Sequence, residues 1–179
     1  MPDAMPIDAV NRLDREAFVS LVGPVFEHSP WIAAEAWETH PWGSLHDLHA
    51  AMTNVVKTAD RKRQLALIRA HPDLVGRAAL AGTLSRESTT EQRAAGLDPD
   101  ALRPAEIARF QSLNAAYKAR FDFPFVICAR EHRKDTILAG LQSRVTNDRD
   151  PEIETALTEI GKIAWYRLQD IVPGRGSTE

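Results

Sequence analysis

The chain has 179 residues, enough for one domain with a real core, and its hydrophobic fraction of 44% is ordinary for a globular protein. The formal net charge of −3 gives no support to a nucleic-acid-binding surface or to a polybasic membrane patch. Because the sequence contains one cysteine, Cys128, an intramolecular disulfide and a thiolate metal cluster are both excluded.

No stretch predicts a membrane span or a targeting signal. The longest apolar run, 123–129, is far too short to cross a bilayer. The first residues, Met1-Pro2-Asp3, lack the basic and apolar regions of a signal peptide, and the last residues carry no peroxisomal or endoplasmic-reticulum address. A cytoplasmic protein that does not bind membranes is therefore expected.

The first part of the chain predicts short helices with clear start signals. Residues 1–12 are expected to form a loose lead-in, and Asp14 is expected to cap a helix that Pro24 bends or ends. Ser29-Pro30 predicts an N-cap followed by a proline in the first helical position. Two further helix starts are predicted at Ser44 and Asp60.

The second part of the chain predicts more helices and no strand with convincing alternation. A helix is expected over 73–81, ended by Gly82, and a long helix is expected to begin at Arg103-Pro104. The last two predicted helices cover 137–145 and begin at Asp150. The predicted fold is all-α, one domain over 1–179 with about eight or nine helices and a mobile tail over 173–179.

The sequence between these helices brings polar side chains together near His71. Proline crowds the residue before it, so His71-Pro72 should hold the imidazole in an extended break between helices. Ser88, Glu91 and Gln92 follow, and with His71 they supply groups suited to acid–base chemistry near neutral pH.

The same stretch also has a purely structural interpretation. Ser88-x-x-Glu91 is a helix capping box, with Ser88 as N-cap, and Gly96 would end that short helix. Both interpretations can hold together, because the start of a helix exposes N–H groups that have no partner within the helix.

An apolar run over 123–128 contains Pro124, which argues against a central strand. It predicts an irregular, extended, buried segment whose peptide groups need partners. Those groups either bind a ligand or bond to neighbouring helices, and both alternatives stay open. Cys128 is expected to behave as a small buried hydrophobic residue.

Two arginines are candidates for binding an anion. Arg167 falls on the apolar stripe of the last predicted helix, where an unpaired charge would be costly. Its partner is either an anionic ligand or a structural carboxylate. Arg144 lies near the edge of the apolar arc of its own helix and is the second candidate.

Three motifs in order resemble those of the 2-oxo-4-hydroxy-4-carboxy-5-ureidoimidazoline (OHCU) decarboxylase family. They are HPDL at 71–74, STTEQRAAGL at 88–97 and FPFVICAR at 123–130, and the resemblance extends from about Phe18 to Ile171. It implies an all-α enzyme of the urate-to-allantoin pathway that is a homodimer.

The resemblance also implies a reaction. The substrate loses CO2 and gains a proton on one face of C5, which gives (S)-allantoin. No cofactor or metal is expected, because the C=N bond of the substrate itself can accept the electrons released with CO2. His71 would be the general acid/base, and Glu91 would bind polar groups of the substrate or hold His71 in a useful tautomer. The implied substrate contacts are Pro72, Ser88, Gln92, Arg167 and the main chain of Phe125, Val126, Ile127, Cys128 and Ala129.

Two other classes of function are the alternatives. A non-catalytic helical binding module would bind ligand without forming product, and the intact His71/Glu91 pair argues against it. A metal-dependent hydrolase would use His46 and His49, whose spacing of three residues can hold a metal. A zinc site normally needs three or four ligands and no third is evident, so no metal site is predicted.

Overall fold

The computed structural model describes residues 5–172, and all regular secondary structure in this range is helical. The all-α prediction is confirmed. The described range holds ten α-helices in place of the expected eight or nine, because two of them, α1 and α6, have only four residues. The helices are Ile7–Val10 (α1), Arg15–Val22 (α2), Trp31–Ala36 (α3), Leu45–Thr58 (α4), Arg61–Ala70 (α5), Arg77–Leu80 (α6), Arg86–Ala94 (α7), Pro104–Phe121 (α8), Lys134–Arg144 (α9) and Arg149–Ile171 (α10).

Short 3-10 helices connect several of these elements, at Gly23–Val25, Trp37–Thr39, Pro99–Ala101 and Ala129–Glu131. Within residues 5–172 no helix is both long and apolar enough to cross a membrane. The predicted tail over 173–179 and the first four residues of the predicted lead-in lie outside the described residues.

The chain divides into two compact units. The first unit contains the residues up to Ala70 and those from Gly161 onward, and the second contains His71–Ile160. The first part of α10 therefore belongs to the second unit and its last part to the first. One domain over 1–179 stays a prediction.

Several helices begin at the predicted caps. The Asp14 carboxylate accepts the N–H of Ala17 at 2.8 Å, and the Ser44 hydroxyl accepts the N–H of Asp47 at 3.1 Å. The Asp60 carboxylate likewise accepts the N–H of Arg63, in the first turn of α5, at 2.8 Å. These bonds satisfy N–H groups that have no acceptor within the helix, which is why such residues mark helix starts.

Two predicted boundaries in the first unit are wrong. Residues 7–10 form a helical turn instead of a loose lead-in, because Ile7 and Val10 are buried. The side chain of Asn11 also exchanges two hydrogen bonds with the main chain of Trp42. Helix α3 begins after Pro30, and no side chain caps it.

Several predicted boundaries in the second unit are also wrong, and the helix predicted over 137–145 begins at Lys134. Helix α6 covers only Arg77–Leu80, because Val75 adopts φ +51°, a left-handed conformation that a helix cannot continue through. Helix α10 begins at Arg149, so Pro151 lies inside its first turn, where a missing N–H leaves no hydrogen bond unmade.

Aromatic side chains form the core of each unit. In the first unit the ring of Phe18 stacks on Trp42 with the ring centres 5.0 Å apart. In the second unit Tyr117 on α8 contacts Phe123 and Phe125, which lie in the extended segment after that helix. Tyr117 donates a hydrogen bond to the fully buried carboxylate of Glu152 on α10. These contacts fix the extended segment against α8 and α10.

Candidate active site

His71 lies in a bend directly after α5 and its side chain is buried. The predicted break between helices is therefore present. Within the second unit His71 contributes to the wall of a groove of about 830 Å³, large enough for a small metabolite. Polar residues that line the same groove include Asp73, Arg77, Gln111, Asn114 and Lys118.

Helix α7 begins earlier than predicted. The hydroxyl of Ser85, and not that of Ser88, caps the helix by accepting the N–H of Ser88 at 3.2 Å. The predicted end is correct, because Gly96 has φ +81° and Leu97 N–H donates to Gln92 O at 2.9 Å. That bond belongs to a Schellman motif, the usual C-terminal cap of an α-helix.

The early start gives α7 a polar inner face. Ser88, Glu91 and Gln92 are 5%, 7% and 4% exposed, and they are the buried residues of this helix. Their spacing of three and four residues places them side by side on one face. A helix ordinarily buries an apolar stripe on such a face. A hydroxyl, a carboxylate and a carboxamide are thus held together where apolar side chains would give more stability.

The contacts of this face orient two of its groups. The Oε1 atom of Gln92 accepts the N–H of Val75 at 3.1 Å, so its amide nitrogen points the other way as a donor. Within residues 5–172 that nitrogen donates no hydrogen bond to another residue. The carboxylate of Glu91 lies 3.7 Å from Nε of Arg130. The face therefore presents an amide donor and a carboxylate paired with a cation.

The extended segment is held from one side by charged side chains. Nη1 of Arg144 donates to Val126 O at 2.9 Å, and the N–H of Cys128 donates to Oε2 of Glu159 at 2.8 Å. Ile127 lies between Val126 and Cys128 in the chain. Neither its N–H nor its C=O bonds to another residue in the described range. Successive peptide groups of an extended chain point to opposite sides. The alternative of bonds to neighbouring helices is therefore confirmed for Val126 and Cys128, and recognition of a ligand by the other peptide groups stays a prediction.

The family of this chain follows from its similarity to known proteins. The OHCU decarboxylase family model matches residues 11–169. The chain belongs to the OHCU decarboxylase family.

Several relatives carry the name of this family. The OHCU decarboxylase of Amia calva is 42% identical over 168 residues, which cover 94% of this chain and 95% of the relative. The OHCU decarboxylase of Halalkalicoccus jeotgali is 38% identical over 175 residues, covering 98% of this chain and 96% of the relative. The uric acid degradation bifunctional protein PucL of Bacillus subtilis is 39% identical over 173 residues, 97% of this chain but 34% of that protein.

Two solved structures have a similar fold. A crystal structure of (S)-allantoin synthase matches with a TM-score of 0.76 and 28% identity, over 94% of this chain. The match spans 54% of that crystallised chain. A crystal structure of OHCU decarboxylase in the presence of (S)-allantoin matches with a TM-score of 0.63 and 20% identity, over 78% of this chain and 89% of that one, which supports the fold.

The two arginines that are candidates for binding the substrate anion both have carboxylate partners in this family member. Arg167 lies in the first unit, buried, with Nη1 at 2.9 Å from Oε2 of Glu27. Arg144 lies in the second unit and contacts Glu152 and the ring of Phe125. The structural carboxylate that the sequence left open as a partner of Arg167 is therefore present.

The two histidines of the metal alternative have other contacts. The rings of His46 and His49 both lie edge-on to Trp165, and Nε2 of His49 is 2.7 Å from Gly161 O. Burial lowers the pKa of His49, so this ring favours its neutral form. Among residues 5–172 no group of three or more histidine, cysteine, aspartate or glutamate side chains is arranged to hold a metal.

Two residues that were not predicted, Glu159 and Arg130, contact motif residues. Arg130 ends the third motif, and only the tertiary structure brings it to Glu91. Glu159 does have a sequence signal, because it continues the helical spacing of Glu152 and Ala156. The structure shows that all three residues are buried. Two glutamates seven residues apart on a buried helix face indicate structural acceptors.

We expect replacement of Glu159 by leucine to destabilise the protein by about 1–3 kcal/mol, because the buried N–H of Cys128 then has no acceptor. Glu159→Gln is the matched control, since it keeps an acceptor oxygen and should lose less stability. Urea unfolding followed by circular dichroism measures both. Equal stability of Glu159→Leu and the wild type would contradict this role.

We expect the thiol of Cys128 to be unreactive in the folded protein. Burial, followed by the charge of Glu131, raises the pKa of Cys128 to about 11. At pH 8 only about one thiol in a thousand is then the reactive thiolate, and this fraction rises about tenfold per pH unit until the pKa is reached. Reaction with a disulfide reagent should be slow at pH 8 and fast in guanidinium at the same pH. Equal rates in the two conditions would be the contrary result.

Proposed function

We propose that this protein is an OHCU decarboxylase that forms (S)-allantoin in urate degradation. The family match over residues 11–169 and the relatives named OHCU decarboxylase support the reaction class. The observation that carries the proposal is the polar inner face of α7, where Ser88, Glu91 and Gln92 are buried together within a family motif.

The reaction needs little beyond orientation and proton transfer. When CO2 leaves, the electrons of the broken C–C bond form a C=C bond, and the C=N electrons move to the ring nitrogen, which takes up a proton. The hydroxyl-bearing carbon then becomes a carbonyl as its hydroxyl proton leaves, and C5 receives a proton on one face. A protein accelerates these steps by fixing the substrate, delivering the proton and stabilising the developing negative charge.

The second unit contains candidate residues for proton transfer and for binding the substrate. His71 is the proposed general acid/base, because an imidazole changes its charge near neutral pH and this one lines a groove. Glu91, held near Arg130, is the proposed partner that binds polar substrate groups or sets the tautomer of His71. Pro72 is proposed to form part of the pocket wall.

The amide groups of the substrate have matching partners. The amide nitrogen of Gln92 and the hydroxyl of Ser88 are the proposed contacts of the ureido and ring carbonyl groups. The N–H and C=O of Ile127 together match the edge of an amide, which offers one acceptor and one donor. This supports main-chain recognition by residues 125–129. Arg167 stays the predicted contact of the substrate anion, beside its structural role with Glu27.

Three further expectations belong to the proposal: no cofactor, a cytoplasmic location and a homodimer. Activity that survives chelator and extensive dialysis would support the first. Light scattering on the purified protein measures the number of chains directly.

The test uses substrate made in place. Urate is treated with urate oxidase and hydroxyisourate hydrolase, this protein is added, and circular dichroism follows the product. Fast growth of an (S)-allantoin signal is expected in the presence of chelator. Only slow formation of racemic allantoin, equal to the reaction without protein, would contradict the proposal and favour a binding role.

A further inference from the structure

Two buried carboxamides hold one peptide group from both ends. The C=O of Leu74 accepts a hydrogen bond from Nδ2 of Asn114 on α8 at 2.9 Å. The N–H of the same peptide, which belongs to Val75, donates to Oε1 of Gln92 on α7 at 3.1 Å. All of these residues are buried. One peptide unit, three residues after His71, thus connects two helices.

The backbone at this point would not keep its conformation unaided. Val75 has φ +51° and is fully buried, although its β-branched side chain strongly disfavours the left-handed region. Such conformations persist only where the surrounding structure enforces them, and they concentrate at functional sites. The two carboxamide bonds supply that enforcement.

Other contacts also hold the segment around Val75 in place. Nζ of Lys118, one helical turn after Asn114, pairs with Asp73 at 2.5 Å. A Cβ atom on Gly76 would lie 2.4 Å from Cβ of Asp73, so the turn closes tightly at a residue without a side chain. Side-chain contacts therefore hold Asp73, Leu74 and Val75, and the turn closes tightly at Gly76.

We propose that Asn114 is a positioning residue for His71. By holding Leu74 it fixes the segment that continues from His71-Pro72, and so it sets the imidazole relative to the polar face of α7. Asn114 also lines the groove of His71, but the role proposed for it acts through Leu74 and not through contact with substrate. The effect on turnover rests on the proposed decarboxylase function, whereas the effect on the conformation of His71 does not.

The main test is Asn114→Leu, which keeps a similar volume and removes the donor to Leu74. We expect kcat to fall about ten- to a hundredfold with KM changed less than about threefold, because a small displacement of a catalytic group acts on the reaction step. The imidazole NMR signals of His71, assigned by their loss in His71→Asn, should shift. The Val75 amide should exchange with solvent at least about tenfold faster.

A matched control comes from the first unit. Gln64 is also a buried carboxamide that donates to a main-chain carbonyl, that of Val56 at 3.0 Å. Gln64→Met should cost stability in a similar way while leaving kcat and the His71 signals unchanged. If Asn114→Leu does not fold, Asn114→Ser serves, because its smaller side chain admits a bridging water and should give the same changes in weaker form.

The outcomes separate the two proposals. An Asn114 variant with kcat within twofold of wild type and unchanged His71 signals overturns the positioning role, as does an equal loss of kcat in Gln64→Met. If the wild-type protein lacks decarboxylase activity, the His71 signals and the Val75 exchange rate still decide whether Asn114 holds this segment.

Discussion

Replacing His71 by asparagine is expected to lower kcat for decarboxylation at least about 100-fold while the protein stays folded. A positioned acid/base group contributes about 10²–10⁴-fold to a rate, and asparagine cannot transfer a proton near neutral pH. The fold should tolerate the change, because His71 lies in a bend and not inside a helix. Asparagine keeps a polar side chain at this buried position.

The measurement combines turnover with stability. Circular dichroism at the allantoin signal gives kcat, and thermal unfolding gives the melting temperature of the same sample. His46→Asn is the matched control, because His46 is exposed and belongs to the metal alternative. It should keep wild-type activity. A folded His71→Asn variant with near-wild-type turnover would remove His71 from its assigned role.

Replacing Arg167 by methionine is expected to destabilise the protein by about 3–5 kcal/mol. The carboxylate of Glu27 would remain buried without the guanidinium that lies 2.9 Å away, and breaking a buried ion pair on one side is costly for this reason. The exposed pair Arg63–Glu35 provides the control. Arg63→Met should cost less than about 1 kcal/mol, because solvent screens such pairs.

A double variant separates stability from anion binding. Arg167→Met combined with Glu27→Met removes both charges and should regain part of the lost stability. If Arg167 also binds the substrate anion, the double variant will still show a raised KM or a lowered kcat. Urea unfolding and steady-state kinetics give the two answers separately. Equal stability of Arg167→Met and Arg63→Met would contradict the structural role of the ion pair.

Local sequence signals predicted the fold class and several helix ends. Asp14, Ser44, Asp60 and Gly96 act through bonds within one or two turns, so their effect is visible in the sequence. The predicted start of α7 was wrong because the sequence contains two serines, three residues apart, that could each cap the helix. Local spacing cannot choose between Ser85 and Ser88, whereas the burial of Ser88 against the rest of the unit does.

The contacts of the candidate site depend on residues distant in sequence. Motif resemblance selected the candidate residues, but it did not predict which contacts hold them in place. Glu159 bonds to Cys128 across 31 residues, and Asn114 bonds to Leu74 across 40. Such pairs follow from how helices pack, and no local pattern fixes them. The left-handed conformation of Val75 could not be predicted either, because a β-branched residue favours an extended backbone.

The polar inner face of α7 has a consequence for motion. Because Ser88, Glu91 and Gln92 are its buried residues, the hydrophobic effect contributes little to keeping this helix in place. Segments with few buried apolar contacts open by local unfolding at a lower free energy than the rest of a protein. A ligand that binds such a segment only in its folded form stabilises that form through mass action. We therefore expect binding of the proposed substrate to slow the exchange of the α7 amides with solvent more than that of the α8 amides.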